Sequence, residues 1–289
     1  MSSKQIIKGT LIPIGGNEDK GAGENENYSV DFIEEGILSH VVRECGGRKA
    51  LIVVIPTASS IPDKVGDNYI MAFRKLSCEN IKVLNITERN QCEDPEFMKW
   101  IEKADCVMFS GGNQSKIIDK IGNTKIHEIL TDRFVNESFV IAGTSAGAMA
   151  MSKEMVAGGS STEALYKGAV NMRDGMGFIS ELIIDSHFIR RGRFGRLAEA
   201  VAKYPRLLGV GLAEDTGLII KNCNEFNVIG SGMVILFDGG KLTHNNEEIL
   251  PEGTPLTISN LVVHILSNSD HFTVDQRKIE ILPVDADFI

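Results

Sequence analysis

The feature that most limits what this chain can fold into is an alternation of two textures. Through the first three quarters, short apolar runs ending in glycine or proline take turns with amphipathic helical patterns. Thr10–Ile14 ends at Gly15-Gly16, Leu51–Ile55 at Pro56, Cys106–Phe109 near Gly111-Gly112, and Phe139–Ala142 at Gly143. Runs this short and uninterrupted have the pattern of strands buried on both faces. Between them, Phe32, Ile33, Ile37, Val41 and Cys45 recur at helical spacing and stop at Gly46-Gly47. Ser60 with Pro62 opens a helix whose Val65, Tyr69, Ala72, Phe73 and Leu76 form one stripe. Ile81–Ile86 reads as a further strand, and Pro95–Lys103, Ser115–Ile121 and Lys125–Val135 as helices. The polar stretch Asn17–Asn27 reads as flexible. Such alternation predicts an α/β fold with a mostly parallel sheet between helical layers.

After Gly209 the texture changes to close-set strands at Leu218–Lys221, Phe226–Ile229, Met233–Phe237, Leu261–Leu266 and Lys278–Leu282, with Asp238-Gly239-Gly240 as a turn. These predict an antiparallel C-terminal extension of the same sheet. With no linker, repeat or low-complexity tract, residues 1–289 are expected to form a single domain.

Charge narrows the functional classes. The chain has 30 Lys+Arg against 39 Asp+Glu, a formal charge of −9. That balance argues against a general binder of nucleic acid or anionic membrane, both of which need a basic surface. Five scattered cysteines with no C-x-x-C pair fit a reducing compartment better than a disulfide framework. The start lacks an apolar signal segment, and the longest apolar run, Ala50–Ile55, is far too short for a membrane span. A cytoplasmic protein is expected. No metal-ligand spacing, phosphate loop or dinucleotide fingerprint stands in the sequence, so no metal and no cofactor are expected.

The chemistry-bearing motif is Gly143-Thr144-Ser145-Ala146-Gly147, directly after the strand at Phe139–Ala142 and before the helix formers Ala148–Met151. G-x-S-x-G in a strand–turn–helix context is a nucleophile elbow. The turn lifts a serine hydroxyl clear of the sheet and sets it at a helix start, where the Ala146 N–H can meet an oxyanion.

A serine needs a base to become a nucleophile. His40, His127, His244, His264 and His271 read as surface or core residues. His187 differs, because it follows the run Leu182–Ile184 at the C-terminal end of a predicted strand, where open α/β sheets gather ligands. Beyond it lie four arginines, Arg190, Arg191, Arg193 and Arg196, with no acid among them. So concentrated a patch in an acidic chain suits an anion site, chiefly for carboxylates. Phe194, Leu197, Ala198 and Val201 form an apolar stripe that would turn Arg193 and Arg196 outward. An orienting carboxylate is available after the strand Gly209–Ala213, where Glu214 and Asp215 are equal candidates.

Taken together these residues resemble the cyanophycinases, serine exopeptidases of the peptidase-E-like clan. The resemblance rests on Gly15-Gly16-x-Glu18-Asp19-Lys20, Gly111-Gly112-Asn113-Gln114-Ser115, the Ser145 elbow, Asp185-x-His187-Phe188 with its arginines, and Gly211-Leu-Ala-Glu214-Asp215. It implies a flavodoxin-like fold akin to class I glutamine amidotransferases, and a homodimer. By resemblance Ser145 is the nucleophile, His187 the base and then acid, and Glu214 the orienting carboxylate. The N–H groups of Gly112 and Ala146 would form the oxyanion hole, with glycine at 112 allowing close approach of substrate. Gln114, Asp185, Ser186, Arg191, Arg193 and Arg196 would line the pocket for cyanophycin, an aspartate backbone with arginine on each β-carboxyl. Asp185 would meet a substrate guanidinium, and the arginines its carboxylates. Ser186 stands where that family usually has glutamine.

The order Ser…His…Glu argues against α/β-hydrolases, and serine in the elbow argues against a cysteine-dependent amidotransferase. The remaining alternatives are an aspartyl dipeptidase of the same clan and a non-catalytic binding protein of the same fold. The arginine-rich segment favours the polymer.

Overall fold

The computed structural model describes residues 6–21, 29–159 and 163–281. In chain order the first elements are β1 (Thr10–Ile14), α1 (Ile37–Glu44), β2 (Ile52–Ile55), α2 (Pro62–Lys75), β3 (Ile81–Val83), α3 (Pro95–Lys103) and β4 (Cys106–Phe109). Next come α4 (Gln114–Ile121), α5 (Lys125–Asn136), β5 (Val140–Thr144), α6 (Ala146–Met149), β6 (Glu154–Gly159), β7 (Val170–Asp174), β8 (Leu182–Asp185) and α7 (Phe194–Lys203). The C-terminal strands are β9 (Leu208–Leu212), β10 (Thr216–Lys221), β11 (Glu225–Gly230), β12 (Val234–Asp238), β13 (His244–Asn245), β14 (Ile258–Ser259), β15 (Val262–Leu266), β16 (His271–Thr273) and β17 (Lys278–Glu280).

The larger sheet runs β17-β16-β11-β10-β1-β5-β4-β2-β3. From β1 to β3 every pairing is parallel, as the alternation predicts. From β1 outward through β10, β11, β16 and β17 every pairing is antiparallel. The antiparallel extension is therefore present, but it takes only part of the C-terminal chain. β9, β12 and β15 leave it and join β8 in a second sheet, ordered β15-β12-β9-β8. Two corners make this possible. The chain leaves β9 for β10 through Asp215 (φ 47°), and leaves β11 for β12 through Gly230 (φ 96°). The corners lie side by side, with Ser231 N–H donating to Asp215 O at 2.7 Å.

Strand alternation sorts the core into layers. In β1 and β2, Ile12, Ile14, Ile52 and Val54 face Leu38, Val41, Tyr69 and Phe73 of α1 and α2. Leu11, Val53 and Ile55 face the opposite way, into a buried cluster that takes in α3–α5 and also Leu182, Ile184, Val210 and Leu236 of the second sheet. The outer face of the second sheet is covered by α7, where Leu197 and Val201 pack with Ile183 and Phe237. Glycine at 209 lets α7 sit down on β9, since a Cβ there would come within 2.7 Å of Val201 and 2.9 Å of Leu197.

The β6–β7 hairpin is absent from the sequence expectations. Its period-2 pattern is broken by a register shift between Val156 and Gly158. Residues 22–27 of the stretch expected to be flexible lie outside the described residues, as does Leu282. The part of that stretch that is described turns inward, burying Glu18 to 3% exposure.

Candidate active site

β5 ends in the elbow. Ser145 takes a left-handed conformation (φ 50°, ψ −107°) at the N-terminus of α6, a strained choice for a residue with a Cβ. Close packing explains the flanking glycines. A Cβ at Gly143 would lie 2.7 Å from the Gly147 carbonyl carbon, and one at Gly147 would lie 2.6 Å from Phe109 O at the end of β4. The Gly111-Gly112 loop runs alongside, an added Cβ on Gly111 coming 3.4 Å from Ser145 Cβ. Among the described residues, no protein acceptor takes the N–H of Gly112 or Ala146. Glycine at 112 has a reason beyond the expected one. Its φ is 142° and a Cβ would lie 2.1 Å from Ala58 O, so the turn behind the loop itself demands glycine.

His187 follows β8 with φ 47°. Its Nδ1 lies 2.7 Å from Glu214 Oε1, so the ring donates from Nδ1 and leaves Nε2 as the acceptor. Glu214 Oε2 also accepts from Arg190 Nη1 at 3.2 Å. The neighbouring carboxylate faces elsewhere: Asp215 accepts from Asp19 N–H at 3.0 Å and Ser231 Oγ at 2.6 Å. Of the two candidates, Glu214 is the one on the imidazole. Ser145 and His187 line a single cleft of about 400 Å³ with Gly111, Gly112 and Arg191. The Ser145 hydroxyl is hydrogen-bonded across 3.4 Å to Ser186 Oγ instead of to His187.

One strand end aligns these segments. Consecutive carbonyls of Ile14, Gly15 and Gly16 accept from Ser145 N–H (2.8 Å), His187 N–H (2.8 Å) and Asp215 N–H (2.9 Å). Gly16 also lies against the imidazole, where a Cβ would come within 2.4 Å of Cε1 and Nε2. The carbonyls of Ile14-Gly15-Gly16 thus position together the segments that carry nucleophile, imidazole and carboxylate. Reading the sequence missed this role, although the glycine pair directly after a strand was the signal.

Charge in the site follows from burial. Desolvation lowers the His187 pKa, helped by Arg191 and Arg193 and opposed by the Glu214 hydrogen bond, so the net shift favours the neutral ring. Burial pushes the Glu214 carboxyl up, but His187 and Arg190 outweigh it and hold the pKa below its ordinary value. Burial pushes Asp215 up to about 6, with Glu18 and Asp19 adding repulsion.

The arginine segment behaves differently from expectation. Asp185 is fully buried, and a buried carboxylate must be paired. It accepts from Arg196 Nε at 2.8 Å and from Arg196 Nη2, and from Arg193 Nη1 at 2.9 Å. Arg196 is 4% exposed, not outward, and Arg193 also donates to Ser186 O at 2.6 Å. Asp185, Arg193 and Arg196 therefore pair with one another, Asp185 and Arg196 buried and Arg193 partly exposed. The Gln114 amide donates to Val156 O at 2.8 Å and Ala157 O at 3.2 Å on β6. Arg191 alone of the expected substrate ligands lines the cleft. Among the described residues, no cluster of three or more His, Cys, Asp or Glu side chains is placed to hold a metal ion, and no helix is long and apolar enough to cross a membrane.

Similarity to known proteins agrees with this geometry. The model of peptidase family S51 matches residues 27–228. The cyanophycinase of Trichormus variabilis is 37% identical over 96% of this chain and 90% of its own length. That of Geminocystis herdmanii is 34% identical over 93% and 95%. Among solved structures, a peptidase from an acI-B1 Actinobacterium superposes with a TM-score of 0.57 at 22% identity, covering 91% of this chain and 99% of its own. A putative peptidase E protein from Listeria monocytogenes EGD-e gives 0.51 at 16% identity, over 76% and 96%; these two establish the fold alone. Matched by the family model over most of its length and by cyanophycinases over nearly all of it, the chain belongs to peptidase family S51 and is a serine-type peptidase.

Proposed function

We propose that this chain is a cyanophycinase, a serine exopeptidase that releases β-Asp-Arg dipeptides from cyanophycin. The observation that carries this reading is His187, whose Nδ1 lies 2.7 Å from Glu214 Oε1, lining the same cleft as an elbow serine. Ser145 attacks the backbone carbonyl while His187 Nε2 takes its proton. Glu214 holds the imidazole in the required tautomer and stabilises its charged form. The N–H groups of Gly112 and Ala146 stabilise the oxyanion. His187 then protonates the leaving amine, and water attacks the acyl-enzyme by the reverse path.

On the substrate side, Arg191 lines the cleft and meets a carboxylate, and Ser186, hydrogen-bonded to Ser145, and Gln114 complete the pocket. The Asp185–Arg193–Arg196 cluster holds the start of α7 in place. We further propose one domain over residues 1–289, supported by the buried cluster shared by both sheets, acting as a homodimer in the cytoplasm.

The test is clearance of a cyanophycin suspension with release of the β-Asp-Arg dipeptide, abolished by Ser145→Ala. Hydrolysis of free aspartyl dipeptides without clearance would move the assignment to a dipeptidase. Clearance by the Ser145→Ala protein would remove the nucleophile.

A further inference from the structure

The cleft holds a second cation for which the reading above gives no role. Lys20 lines it beside Ser145 and Arg191, and its position is fixed from several sides. Nζ lies 2.7 Å from Glu18 Oε1 and 3.4 Å from Glu18 O, and 5.1 Å from the Tyr69 ring centroid. Glu18 is itself immobilised. Tyr69 Oη donates to its Oε1 at 2.6 Å, and Thr144 Oγ1 to its Oε2 at 2.6 Å. Burial alone would raise the Glu18 pKa, but Lys20 and these donors hold it below the ordinary value, so the carboxylate is charged.

This arrangement does more than stabilise the loop. An ammonium has three N–H donors, and Glu18 takes two of them. The side chain retains 29% of its exposure, which leaves the third donor for the cleft. The Glu18 charge offsets that of Lys20, so a substrate rich in guanidinium groups is not repelled, while a fixed donor for an anion remains. Thr144 precedes the nucleophile, so the donor stands at a set distance from the reacting atom.

We infer that Lys20, held by Glu18 over the Tyr69 ring, is a specificity-determining residue that hydrogen-bonds a substrate carboxylate in the cleft alongside Arg191. The inference rests on the peptidase reading. The ligand is a carboxylate of the bound peptide, from either an arginine side unit or the C-terminal end of the aspartate backbone.

The experiment uses the full chain and three synthetic oligomers of β-Asp-Arg units: unmodified, with arginine carboxylates amidated, and with the backbone terminus amidated. Wild-type kcat/KM is expected to fall about tenfold or more on one amidated oligomer, the loss of a charge-assisted hydrogen bond, and that oligomer names the carboxylate. Lys20→Met should fall on the unmodified oligomer and show a smaller ratio between it and the amidated one, the remainder being the Arg191 contact. Lys20→Arg should keep most of the wild-type preference. The preference is a ratio within one preparation, so partial unfolding of a variant cancels. Lys20→Met retaining the wild-type preference, or losing activity equally on all three oligomers, would overturn the inference. Wild-type protein that cleaves none of them would overturn the peptidase reading and this inference with it.

Discussion

Gly16→Ala offers the sharpest test of how the imidazole is held. A Cβ at this position comes within 2.4 Å of His187 Cε1 and Nε2, whereas ordinary contact begins at 3.4 Å. The backbone cannot yield easily, because Gly15 O and Gly16 O hold His187 and Asp215 through N–H bonds of 2.8 and 2.9 Å. The ring must therefore move by about 1 Å, a displacement of the size that costs roughly 100-fold in rate. The move also pulls Nδ1 away from Glu214. Left-handed backbone at Gly16 (φ 102°) adds strain of roughly 1–2 kcal/mol for alanine, or a few degrees in Tm. The assay is kcat for dipeptide release alongside thermal unfolding. Gly177→Ala is the control, with φ 70° and nothing within 4 Å of its Cβ; it should show the Tm loss without the rate loss. Gly16→Ala turning over within about threefold of wild type would refute the argument that ring position depends on this glycine.

Three further outcomes are expected. Glu214→Gln should lower kcat far more than Asp215→Asn, since only Glu214 touches the imidazole; equal losses in steady-state kinetics would reverse the assignment. Arg196→Ala should cost roughly 3–5 kcal/mol in denaturant unfolding by leaving Asp185 buried with its main partner gone; a normal unfolding midpoint with raised KM would return Arg196 to the substrate. Burial, with help from Arg43, lowers the His40 pKa to about 4, so its stabilisation is complete above the unfolded value of 6.5 and lost as pH falls toward 4. Asp215, raised to about 6, acts oppositely: its stabilisation is complete below 3.8 and lost as pH rises toward 6. His40→Leu should thus flatten the acid loss of stability between pH 6 and 4, and Asp215→Asn should steepen it, each by roughly 1.4 kcal/mol per pH unit.

Sequence periodicity reveals a strand's length and burial more readily than its partner. β9 and β10 are both short apolar runs, so nothing in their residues says that one belongs to each sheet. The switch lies in the corner between them, at a non-glycine residue with positive φ, where composition is silent. The elbow was legible because its glycines are forced by local backbone contacts within one turn. The Asp185–Arg196 pair was not, because a stripe analysis of α7 assumes one apolar face. Seven of that helix's ten residues are buried, arginine and glutamate included. Glu18 escaped for a related reason: a polar stretch looks solvated until the donors from Tyr69, Thr144 and Lys20 are seen around it.

The three carbonyls at the end of β1 bear on how this enzyme can diversify. Because Ile14, Gly15 and Gly16 index the segments of Ser145, His187 and Asp215 directly, the connections between those segments do not set the catalytic register. The β6–β7 hairpin can lengthen, shorten or change sequence while the reacting groups stay in place. Substrate preference is thereby free to drift in the intervening loops, whereas the glycine pair at the strand end is a fixed point that tolerates almost no change.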